Sequence, residues 1–168
     1  MGSGFYGFRL NGEVKAISVL FGAEPTALGR RVLTYASEMN PAVTRPLVER
    51  LKMFDADERV GRDADYFPNM NPRDLWEHVF STRFTSLSSP LSLGAAPDAT
   101  VYGDAAFGYL IDFDDSSGVV LEVYRRPRLG QQVDPAKQVC DCEKVVSYWL
   151  NHLPTLDQFL EAINESGR

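Results

Sequence analysis

Apolar and polar positions alternate most regularly over residues 105–126, in the run AAFGYLIDFDDSSGVVLEVYRR. Phe107, Tyr109, Ile111 and Phe113 share one face by the two-residue period of a strand, and Val119, Leu121 and Val123 share one face of the return. Asp114-Asp115-Ser116-Ser117-Gly118 forms the turn, with Gly118 placed for a positive φ. Leu110 and Val120 are apolar on the opposite face, which predicts an interior strand pair covered on both sides.

Residues 5–10 and 13–21 read as a second hairpin around Asn11-Gly12. Glu24-Pro25-Thr26 opens a helix with Leu28, Val32, Tyr35 and Met39 along one face, and Asn40-Pro41 ends it. Another helix starts near Pro46, turning Leu47, Leu51 and Phe54 inward. Residues 55–70 are polar and weakly periodic, a loop. Asn71-Pro72-Arg73-Asp74 opens a short helix docked by Leu75, Trp76 and Val79. Residues 81–100, rich in Ser, Pro, Gly and Ala, form a long connection of the kind that often carries function. Residues 139–150 read as a strand. Thr155 then caps a last helix, with Gln158 at the capping-box position and Leu156, Phe159, Leu160 and Ile163 inward. The order β-β-α-α-α-β-β-β-α predicts one α+β domain: a mainly antiparallel sheet of about five strands with three to four helices packed on it.

Composition narrows the functional classes. A chain of 168 residues, 44% hydrophobic and 24% charged, suits one globular domain. A net charge of −6 argues against duplex nucleic acid as the main partner and suits a basic protein partner. No run of about 18 apolar residues is present to span a membrane. The opening MGSGFYGFRL lacks the order of a signal peptide, and Tyr6 stands where a myristoylation pattern has Ser or Thr. The two cysteines are nearly adjacent, which is no disulfide framework. A cytoplasmic protein is expected.

Candidate chemistry is sparse. Cys140 and Cys142 would share a face of the predicted strand and, with His152, are candidate zinc ligands, although no second pair completes a structural site. Asp112, Asp114 and Asp115 are candidate binding residues, for a divalent cation or a basic partner, while Asp-rich turns also arise from backbone hydrogen bonding alone. Tyr66 and Phe67, in a polar loop, are candidate partner anchors, because exposed aromatics concentrate binding energy. No GxSxG elbow, P-loop or GxGxxG occurs, and no cofactor is implied. An N-terminal-nucleophile hydrolase would need Gly2 removed to expose Ser3.

Short motifs carry one resemblance. Gly4-Phe5-Tyr6-Gly7-Phe8-Arg9-Leu10-Asn11-Gly12-Glu13-Val14-Lys15, then Gly108-Tyr109-Leu110-Ile111-Asp112-Phe113, Glu122-Val123-Tyr124-Arg125 and Leu153-Pro154-Thr155 resemble an uncharacterised family of small proteins of actinobacteria and their phages. The likeness covers both ends of the chain. It departs after the first hairpin, where the family's polar run is replaced by Ile17-Ser18-Val19-Leu20-Phe21. The resemblance implies no activity. With the acidic balance it leads to a non-catalytic protein-binding accessory protein, such as a phage-encoded modulator of a host protein. An immunity protein against a basic toxin and a small hydrolase are the alternatives.

Overall fold

Asn11 and Gly12 both take positive φ, 54° and 76°, as a two-residue hairpin turn matched to strand twist requires. They join β1 (Gly4–Leu10) to β2 (Glu13–Val19), paired from Leu10↔Glu13 to Gly4↔Val19. The structure is a computed structural model and describes residues 2–19, 21–54, 87–101 and 105–167.

The acidic-turn hairpin forms β5 (Phe107–Asp112) and β6 (Val120–Arg125), both almost wholly buried, as the apolar residues on each face require. β5 lies parallel to β1, and β6 pairs antiparallel with β8 (Cys142–Trp149), which carries the two-residue β7 (Gln138–Val139) on its outer side. The strand order is β2-β1-β5-β6-β8-β7. The class is α+β as expected, but the sheet is mixed and six-stranded rather than mainly antiparallel with about five strands. The parallel contact joins two hairpins distant in sequence, and alternation within a strand says nothing about which strand lies beside it.

Pro25–Gly29 forms a π-helical turn that runs into α1 (Arg30–Glu38). Leu28, Val32, Leu33 and Ala36 are its buried residues, with Tyr35 and Met39 half-buried at the margin. Asn40 ends this helix and also starts the next: its side chain accepts from the Ala42 N–H at 3.0 Å. α2 therefore spans Pro41–Arg50, with Pro46 inside it rather than at its start. β3 (Lys52–Phe54) pairs in parallel with β4 (Ala95–Pro97), which follows the short α3 (Ser89–Leu93). The described part of the expected 81–100 loop is thus ordered into elements. The loop expected over 55–70 and the helix expected at Asn71 lie outside the described residues.

One sheet face carries Tyr6, Phe8, Tyr109, Ile111, Leu121 and Val123 against α1, α2 and α4 (Leu156–Ser166). Burying such side chains contributes about 1.5–3 kcal/mol each. Lys15 also faces this side and is buried; its Nζ donates to the carbonyls of Val48 (2.6 Å), Glu49 (3.2 Å) and Leu51 (2.8 Å), closing the C-terminal end of α2. At the N-terminus of α4 the capping box forms as the sequence predicts, Thr155 and Gln158 bonding reciprocally. Phe5, Leu110, Tyr124 and Cys142 occupy the opposite sheet face.

Candidate functional site

Strand alternation places charged residues on that opposite face. Arg9 sits directly across from Asp112 in the β1–β5 pair, and Glu122 and Tyr124 follow one another on the same side of β6. The register shifts beyond Val123, so that Tyr124 faces Lys144 and Val145 drops out of the ladder. The bulge thereby brings the Lys144 ammonium over the face.

The result is one connected cluster. Arg9 Nη1 donates to Asp112 Oδ2 (3.0 Å) and to Glu122 Oε2 (2.9 Å), and its Nη2 reaches the Tyr124 hydroxyl (3.0 Å). The Tyr124 hydroxyl donates to Glu122 Oε2 at 2.6 Å, and Lys144 Nζ donates to Glu122 Oε1 at 3.2 Å. The Glu122 side chain is only 2% exposed, whereas Arg9 is 24% and Lys144 45% exposed. Buried carboxylates persist only when paired in this way. Burial pushes the Tyr124 hydroxyl well above its ordinary pKa, and the Glu122 hydrogen bond adds to that. Burial alone would lower the Arg9 guanidinium; the Tyr124 hydrogen bond, the charges of Tyr124 and Glu122, and the Asp112 bond outweigh it, so its pKa is raised. Every atom of the cluster named here is directed at another protein group.

The three aspartates of the turn do not converge. Asp112 pairs with Arg9 and accepts the Asp114 N–H at 2.8 Å. Asp114 accepts the Asn11 and Gly12 N–H groups, both at 2.8 Å, which ties the two hairpin turns together. Asp115 accepts from the Ser117 N–H and hydroxyl, and these bonds hold its carboxyl below the usual range. The turn is built by its own acids. Asp114 and Asp115 nevertheless remain exposed at the edge of the molecule.

On the Asp115 side stands Trp149, at the end of β8. It is 53% exposed, and its Nε1 donates to Ser117 Oγ at 3.1 Å. Ser117 is bonded in turn to Asp115, so indole and carboxylate are held on one rim. Tyr66 and Phe67, the aromatic anchors expected from sequence, lie outside the described residues.

The expected thiol pair is corrected. Cys140 and Asp141 form a tight turn with φ of 50° and 63°, joining Val139 to Cys142, so the cysteines do not share the face of one strand. His152 lies beyond the other end of the eight-residue β8, about 26 Å of extended chain away. Burial above all pushes both thiols up to about 12, with nearby negative charge adding to it. Cys142 donates to the Ala105 carbonyl at 3.2 Å. Among the described residues no group of three or more His, Cys, Asp or Glu side chains is placed to hold a metal ion.

Arg9, Glu122, Tyr124, Lys144 and Trp149 were not singled out by the sequence reading. Asp112 and Glu122 did leave a signal: a charged residue on the second face of an interior strand pair must find a partner. Comparison with protein-family models, curated proteins and solved structures finds no match. No helix among the described residues is long and apolar enough to cross a membrane.

Proposed function

We propose that this is a non-catalytic binding protein that engages a basic protein partner through the acidic end of its sheet, with Trp149 as the anchor. The observation that carries the reading is the half-exposed indole locked to the Ser117–Asp115 turn. A large aromatic held in place costs little entropy on binding and commonly dominates an interface. Asp115 is joined to it through Ser117, and the net charge of −6 favours approach of a basic surface. The closed bonding of the Arg9–Glu122 cluster supports a structural role for the acid-base residues. The resemblance of the terminal motifs favours a phage-encoded modulator of a host protein, and an immunity protein would present the same surface.

The test is affinity capture from a bacterial lysate, washed at low and high salt, with wild type and Trp149→Ala in parallel. One basic protein held by wild type, released by salt and lost by the variant is the expected outcome. Equal capture by both, or none by either, refutes the reading.

A further inference from the structure

The two sides of the six-stranded sheet end differently. At the β2 side, Lys15 is drawn into the core and Ile17 is bridged to Asp98. At the other side, β7 covers only Cys142 and Glu143 of β8. From Lys144 to Trp149, no strand among the described residues pairs with the outer side of β8. The Leu150 N–H donates to the Val119 carbonyl at 2.9 Å. By the alternation of an antiparallel ladder, Leu150, Tyr148 and Val146 therefore turn their backbone groups toward β6, and Trp149 and Ser147 turn theirs outward.

Little keeps this edge from taking up another strand. Val145-Val146-Ser147-Tyr148-Trp149 carries no charge and no proline, and all but Ser147 are β-branched or aromatic. The bulge lies at one end of it, and the Lys144 ammonium is drawn onto the sheet face by Glu122. A second copy of the same strand matches it. With a two-fold axis at Ser147, the two Ser147 residues form a hydrogen-bonded pair through their outward N–H and C=O groups. Val146 then meets Tyr148 of the second copy, and Trp149 meets the Lys144–Val145 bulge. The faces agree as well: Lys144, Ser147 and Trp149 stand on the exposed face, Val146 and Tyr148 half-buried on the core side. No like charges come opposite each other. We propose that β8 pairs antiparallel with β8 of a second copy, centred on Ser147, and joins two chains into a symmetric dimer with one continuous sheet. The dimer does not rest on the partner-binding reading. Its hydrogen bonds lie in the plane of the sheet, whereas the Trp149 indole stands on the face and bonds to Ser117.

The test is sedimentation equilibrium of the full chain over a wide range of protein concentration, with Ser147→Pro, Ser147→Lys and Ser147→Thr in parallel. Proline removes the outward N–H and leaves the ladder to β6 intact. Lysine leaves the backbone alone and sets two ammonium groups across the axis. Ser147 is exposed, so each change is compatible with the fold, and circular dichroism checks it. Wild type and Ser147→Thr should reach twice the chain mass, with dissociation about tenfold or more easier in the other two variants. Amide exchange read without any variant gives a second measure: the Ser147 and Trp149 amides of wild type should slow as concentration rises. A monomer at every concentration, a dimer that both Ser147→Pro and Ser147→Lys leave unchanged, or Ser147 and Trp149 amides equally fast in dimer and dilute monomer would each overturn the proposal.

Discussion

Replacing Arg9 with Met keeps most of the side chain's length and removes its charge from the face of the sheet. Glu122 then keeps the Tyr124 hydroxyl and Lys144, but Asp112 keeps only the Asp114 N–H on its other oxygen. Removing one partner from a buried ion pair typically costs about 3–5 kcal/mol, because the remaining charge is stranded. Arg9 is itself 24% exposed, so water reaches part of the vacated place, and Lys144 still neutralises Glu122. The expected loss is therefore about 3 kcal/mol, near the bottom of that range. With a urea dependence of about 2 kcal/mol per molar for a domain of this size, the midpoint falls by about 1.5 M. Equilibrium urea unfolding followed by circular dichroism measures it. Arg9→Met/Asp112→Asn should be no less stable than Arg9→Met alone, because the second change removes the stranded charge. A midpoint shift below about 0.3 M for Arg9→Met, or strictly additive losses in the double variant, would show that the cluster contributes nothing as a unit.

Further outcomes follow from the same contacts. Lys15→Met leaves the Val48 and Leu51 carbonyls without their donor and should cost about 2–4 kcal/mol in the same assay, with hydrogen exchange rising first in α2. Gly108→Ala would drive a methyl group into the ring of the fully buried Phe5, and a loss of at least about 1–3 kcal/mol is expected by thermal or urea unfolding. Cys140 and Cys142, raised from 9.0 to about 12 in the fold, should stay unreactive to alkylating reagents in native buffer at mild alkaline pH and react on unfolding. Because the unfolded thiols ionise first, they favour the folded state below pH 9, and that contribution is lost as pH rises toward 12; a stability–pH profile should therefore decline across this window.

Much of the fold was legible in local pattern. Asn11-Gly12, the apolar alternation around Asp114–Gly118, and Thr155 with Gln158 each specify an element through short-range geometry, and each formed as read. Pairing between distant segments was not legible. The β1–β5 contact and the short β3–β4 pair depend on packing over the whole chain. Asn40-Pro41 shows a subtler limit, since the same residues stop one helix and start another and the sequence weighs both equally. Cys140-Asp141 misled because alternating small residues continue a strand pattern on paper, while two left-handed residues turn the chain. In the candidate site, the aspartates were visible as acids, but their separate bonding duties were not. Trp149 carried no such mark in the sequence; it is exposed where the last step of β8 alternates away from the half-buried Tyr148.

The most direct measurement is a hydrogen-exchange footprint of the protein bound to its captured partner, compared with the protein alone. The account predicts slowed exchange over residues 113–119 and 148–151, around the Asp115–Ser117–Trp149 rim, with little change in α1 or α2. Protection concentrated on α1 or α2, with the acidic end unchanged, would contradict it.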